Sequence, residues 1–210
     1  MNKFILLGVI SLFLMACTVT QQQGALPILG MKDVSPAGDT LYHTVPDFAF
    51  TDQTGQTVSQ QTLQGKIYVV DFFFTSCPSI CPKMKEQMIR VHEEFLEEDK
   101  VILLSHTIDP EHDSVEVLHA YAEALGINST RWRMLTGDKD QIYTQAEKYL
   151  VSVGEDETAP GGFIHGGHFI LLDHQHRVRG YYDGTVPEDV DELMRDMHRL
   201  LAQEYTSNPS

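Results

Sequence analysis

Ile67-Tyr-Val-Val-Asp-Phe-Phe-Phe-Thr-Ser-Cys-Pro-Ser-Ile-Cys-Pro-Lys-Met84 is the stretch on which the reading of this chain turns. From Ile67 to Phe74 it is apolar and aromatic apart from one Asp, the pattern of a strand buried on both faces. A residue before proline is pushed away from helical angles, so Ile80-Cys81 is expected to stay non-helical until Pro82 opens a helix as its first residue. Apolar residues at Met84, Met88, Val91 and Phe95 then draw one helical stripe, which reads as core rather than as a row of metal ligands. Cys77 and Cys81 therefore stand at a strand-to-helix junction. Helix N-termini favour anions and raise the thiolate fraction of a nearby cysteine. Sulfurs at this spacing can close a disulfide or hold one soft metal ion. Two thiolates alone leave a copper(I) or zinc site incomplete, so a third ligand has to come from elsewhere.

Outward from that stretch a β-α-β-α order emerges. Val101 to Ile108 is the next buried strand, and Asp113 with Glu116 resembles a capping box for a helix carrying Leu118, Tyr121, Ala122 and Leu125 up to Gly126. A short strand, Trp132 to Leu135, precedes a helix capped by Asp138 that carries Ile142, Ala146, Tyr149 and Leu150. Phe169 to Leu172 and Arg177 to Tyr182 read as a hairpin, and Thr185 to Glu188 opens a last helix with Val190, Leu193, Met197 and Leu201. Asp47 to Thr51 with Thr57-Val58 is a short hairpin ahead of the main fold. The fold class is α/β: a thioredoxin-like mixed sheet flanked by helices, with an N-terminal hairpin extension.

The chain has 210 residues and a net charge of −15, enough for one real core and a poor match to nucleic acid. Its acidic runs, Glu93-Glu94, Glu97-Glu98-Asp99 and Glu155-Asp-Glu157, read as solvated faces. Met1 to Ala16 joins Lys3 to an apolar run too short to span comfortably, in the proportions of a secretory signal. Leu14-Met-Ala-Cys17 looks like a lipobox, which makes Cys17 the expected lipidation site. Residues 1–16 are thus expected as a lipoprotein signal peptide, 17–40 as a lipid-anchored flexible tether, 41–204 as the folded domain and 205–210 as a tail. The expected location is the bacterial cell envelope, with the domain facing the periplasm or exterior. Three cysteines, one of them for lipid, leave the Cys77/Cys81 pair and no structural disulfide framework.

Ten histidines compete for the third place, and most are surface residues by default. Gly161-Gly-Phe-Ile-His-Gly-Gly-His168 stands apart, because in such a sheet the loop entering the hairpin strand faces the loop that carries the cysteines. His165 is the candidate, with His168 at the start of the strand as the competing ligand. His106, His112, His119, His174, His176 and His198 are expected as polar surface or turn residues.

Phe73 to Met84, Thr107-Ile-Asp-Pro-Glu-His-Asp113, His165, Phe169 to Asp173 and Arg179-Gly-Tyr-Tyr-Asp-Gly184 together resemble the Sco/SenC family of copper chaperones, over roughly residues 42–203. The resemblance implies copper as the bound metal, with Cys77, Cys81 and His165 as ligands and Asp109 as a candidate modulator. It implies delivery to a cuproprotein, above all the CuA centre in the copper-bearing subunit of cytochrome c oxidase. A metallochaperone of this kind is not an enzyme in the ordinary sense. Its alternative is a thiol-disulfide oxidoreductase that uses Cys77 and Cys81 as a redox disulfide to keep acceptor cysteines reduced. A peroxidase reading fails, since that chemistry needs an arginine beside the reactive thiol and Arg90 lies nine residues along a helix. The chain departs from the family at His176, commonly glycine, and at Gly166-Gly167, where Ser or Thr often begins the strand.

Overall fold

The computed structural model describes residues 24–205. In chain order it contains β1 (Lys32–Val34), β2 (Thr40–Tyr42), β3 (Ala49–Asp52), β4 (Thr57–Ser59), β5 (Ile67–Phe73), α1 (Cys81–Glu94), β6 (Val101–Thr107), α2 (Val115–Leu125), β7 (Trp132–Thr136), α3 (Lys139–Lys148), β8 (Val153–Glu155), β9 (Phe163–His165), β10 (His168–Leu172), β11 (Val178–Asp183) and α4 (Pro187–Tyr205). The main sheet runs β11-β10-β5-β6-β7-β3-β4. β5, β6 and β7 are parallel, while β10, β11, β3 and β4 join antiparallel, which is the mixed sheet expected.

β5 and β6 owe their central place to composition, since every residue of both is buried. Side chains alternate across a sheet, so Asp71 and Phe73 face α1 and α2, where Lys85 and Tyr121 meet them. Phe72 and His106 face the other way, toward Tyr149 at the end of α3. α4 packs on α1. Met84, Met88, Val91 and Phe95 are all buried, as the stripe requires. Among the described residues no helix is long and apolar enough to cross a membrane.

The expected tether, residues 17–40, overlaps a docked segment and needs correcting from Leu26 onward. Leu26 is buried, Leu29 N–H donates to Val178 O at 2.8 Å, and the Arg179 guanidinium donates to the carbonyls of Leu26 (2.6 Å) and Pro27 (2.9 Å). β1 and β2 then form a separate two-stranded ribbon. This segment enters at the Tyr68 end of β5, because Leu172 pairs with both Val178 and Tyr68. The cysteines lie beyond the other end of that strand, about 20 Å away. The signal peptide and Cys17 lie outside the described residues. Tyr205, expected in the tail, ends α4 with its hydroxyl donating to Gly65 O at 3.0 Å.

His106 is a second correction. It is fully buried among Phe48, Phe50, Phe72 and Tyr149, because β6 is covered on both faces. Burial disfavours the imidazolium and pushes its pKa from 6.5 down to about 3. The unfolded chain therefore binds a proton below pH 6.5 that the folded chain refuses until about pH 3, and stability present above pH 6.5 falls by about 1.4 kcal/mol per pH unit in that window. Urea midpoints at pH 7 and pH 5 check this: His106→Phe is expected to lose about 2 kcal/mol less than the parent across that interval. Equal losses would refute the assignment.

Candidate metal centre

β5 hands the chain to a turn in which Cys77 N–H donates to Phe74 O at 3.3 Å. α1 begins at Cys81, one residue earlier than expected. Its N-cap, Ile80, already has helical angles (φ −84°, ψ −29°), and Met84 N–H donates to Ile80 O at 3.0 Å. The bias of a pre-proline residue against helix is a preference, and here the first-turn hydrogen bond and the burial of Cys81 override it. Both sulfurs still sit at the positive end of α1.

Thr75, two residues before Cys77, is clamped. Its N–H donates to Asp113 at 3.1 Å, its hydroxyl donates to the same carboxylate, and Thr107 Oγ1 donates to it at 2.5 Å. Asp113, expected as half of a capping box, is wholly buried and ties the cysteine turn to the end of β6. Ser114 caps α2 in its place, accepting from Val117 N–H at 3.4 Å.

The third side chain arrives from the far side of the turn. β8 and β9 form a two-stranded flap with Val153 opposite His165. Gly161, at φ +81°, lets the flap close on the cysteine turn: a Cβ there would lie 2.8 Å from the Phe74 ring and 3.1 Å from Pro78 Cδ. His165 is half-buried, edge-on to Phe74, with Nε2 3.4 Å from Cys81 Sγ.

Cys77 and Cys81 are free thiols, and their sulfurs and one His165 nitrogen all lie within 4.8 Å of one another. Metal bonds of about 2.3 Å to sulfur and about 2.0 Å to nitrogen allow two sulfurs up to about 4.6 Å apart on one ion, a spacing close to that of this group. For Cys77, burial acts to raise the pKa, but hydrogen bonding from His165, from Ser79 N–H and from Cys81 outweighs it and brings the thiol down to about 6. Burial drives Cys81 up to about 12, and the neighbouring Cys77 thiolate adds to that. The first thiolate thus forms on Cys77, and a bound cation would favour ionisation of the second. Two soft sulfurs and an imidazole suit copper(I); the same sulfurs, without metal, can close a disulfide.

The other candidates lie apart from this group. His168 is exposed at the head of β10, with its Nδ1 folded back toward Gly166. Asp109 stays in the β6–α2 loop with its carboxyl raised by burial and by the Asp113 charge. Sequence reasoning missed a further feature beneath the site. Lys85, one turn along α1 from Cys81, forms a buried ion pair with Asp71 at 2.9 Å. An acid in a strand buried on both faces demands a partner, and Lys85 was the basic residue on the buried side of the methionine stripe.

Residues 37–202 match the SCO1/SenC family model. A solved SCO1/SenC family lipoprotein from Bacillus anthracis str. Ames is 31% identical, with a TM-score of 0.69 over 75% of this chain and 94% of that one. BsSco, described with a disulfide switch and as a member of the Sco family of cytochrome c oxidase assembly proteins, is 28% identical with a TM-score of 0.66, over 75% and 93%. Bradyrhizobium japonicum ScoI with copper bound is 25% identical with a TM-score of 0.63, over 75% and 99%. With a family match over most of its length and a Cys-Cys-His group at the strand-to-helix junction, this chain belongs to the SCO1/SenC family.

Proposed function

We propose that the chain is an extracytoplasmic copper carrier that binds the ion through Cys77, Cys81 and His165 and delivers it to a cuproprotein, foremost the CuA centre of cytochrome c oxidase. The convergence of these three donors within 4.8 Å is the observation that carries the reading. The copper-bound Bradyrhizobium relative and the oxidase-assembly description of BsSco support it. Anchoring through Cys17 is part of the proposal, supported by the lipoprotein from Bacillus anthracis.

The donors divide the work. The two sulfurs belong to the buried junction of β5 and α1, whereas the imidazole belongs to the flap bounded by Gly161-Gly162 and Gly166-Gly167. Swinging the flap withdraws one ligand and leaves the core untouched, so an acceptor thiolate or imidazole can take its place. Exchange proceeds ligand by ligand and requires no acid or base. The second reading, thiol-disulfide exchange, is favoured by the depressed Cys77 thiol. Its thiolate would attack an acceptor disulfide, releasing one acceptor thiolate. Cys81 would then displace the other, leaving a Cys77–Cys81 disulfide and a reduced acceptor that takes one proton from Cys81 and one from solvent.

The test loads the full chain with copper(I) and mixes it with an oxidase CuA fragment whose thiols are already reduced. Metal and thiols are counted in both after separation. Copper is expected in the acceptor with thiol counts unchanged. Copper retained by the carrier, together with reduction of an oxidised acceptor by the apo chain, would transfer the assignment to the redox reading.

A further inference from the structure

The β1–β2 ribbon stands off the domain with all six strand residues exposed. Among the described residues it and Met31 hold four of the six exposed large hydrophobics: Met31 (78%), Val34 (72%), Leu41 (51%) and Tyr42 (37%). Register divides them between both faces. Directly opposed residues share a face of an antiparallel pair, so Lys32, Val34, Thr40 and Tyr42 lie on one side, and Asp33 and Leu41 on the other. Lys32 Nζ rests over the Tyr42 ring at 5.4 Å. A ribbon built to dock on a rigid protein groove would need one apolar face. Apolar groups on both faces, with a Lys-Tyr pair, fit a soft boundary where apolar bodies sink and polar tips stay wet.

The position of the ribbon says which boundary. Docking of Leu26 and Leu29 shortens the leash to the nine peptide units between Cys17 and Leu26, at most about 30 Å when extended. The ribbon begins six residues after Leu26, and its base lies at the end of β5 remote from the cysteines, where Leu29 N–H donates to Val178 O and Val45 N–H donates to His176 O. We infer that the β1–β2 ribbon rests in the interface of the membrane that holds Cys17, orienting the domain with its metal centre away from the lipid. This rests on the lipid-anchor reading of Cys17.

Tryptophan quenching tests it in the full chain, reconstituted in phosphatidylcholine vesicles whose acyl chains carry bromine. The lone native Trp132 is fully buried and serves as the background. Leu41→Trp, seated about 5–10 Å into the interface, is expected to lose at least about half of its added emission relative to unbrominated vesicles. Ile164→Trp, beside the metal centre, is expected to lose none. Unquenched emission from position 41 in a chain that sediments with the vesicles would overturn the ribbon contact and leave the anchor standing. A blue-shifted but unquenched signal would mean that protein covers the ribbon, and would also overturn it. Quenching at position 164 would overturn the orientation. A chain that stays in the supernatant would refute the anchor and the ribbon contact together.

Discussion

Cys77→Ser and Cys81→Ser are each expected to abolish stoichiometric copper binding, since a hydroxyl is a hard donor and cannot replace a thiolate on copper(I). His165→Ala is expected to weaken copper(I) by at least about 100-fold, beyond the 10–100-fold typical of outer-shell partners, and to lose copper(II). His168→Ala is expected to change little, because its ring lies outside the group formed by the two sulfurs and His165. Competition with a chelator of known affinity, alongside copper(II) absorption spectra, measures all four. Full binding by the Cys81→Ser chain would refute the centre, and the reverse ranking of the histidines would relocate its nitrogen ligand.

Lys85→Ala is expected to produce the largest loss of stability. Asp71 and Lys85 are almost wholly buried, and the pair is knit into its surroundings: Asp71 accepts from Ser105 Oγ, whose oxygen accepts from Trp132 Nε1 at 2.8 Å, and Lys85 Nζ lies 3.9 Å from the Phe73 ring centroid. Removing one partner strands a buried charge and costs about 3–5 kcal/mol, or a fall of about 10 °C in Tm for a domain of this size. Replacing both, Asp71→Asn with Lys85→Met, is expected to recover most of that loss, because no charge remains to be paired. Thermal melts of the single and double variants decide it. A single variant melting within about 2 °C of the parent would show that the pair carries no such weight.

What could be read from the sequence was what repeats locally. The apolar run before Cys77, the helical stripe from Met84 to Phe95 and the hairpin after His165 each announce their element by period, and their order implies the sheet. The cysteine pair was legible for the same reason, its ligand atoms being neighbours along the chain. Long-range polar partnerships were not. Asp113 sits where a helix cap would stand, yet its carboxylate turns inward to Thr75, thirty-eight residues away in sequence. Lys85 meets an acid on a strand, and His106 carries no mark that β6 is covered on both sides. Residues 26–29 have no period at all, and their placement depends on Arg179, about 150 residues on.

The separation of chain entry and metal centre along β5 has a kinetic consequence. Under the proposed anchoring through Cys17, a fully extended leash of about 30 Å and a strand of about 20 Å would confine the cargo to within about 50 Å of the membrane, and the ribbon seated in the interface would hold it at about 20 Å. An acceptor embedded in the same membrane would then meet the carrier by lateral diffusion within that layer instead of through bulk solution. In the proposed delivery such confinement would speed encounter, so the two proteins would need to hold each other only weakly. A weak complex also separates quickly, and each carrier is free to return for another ion.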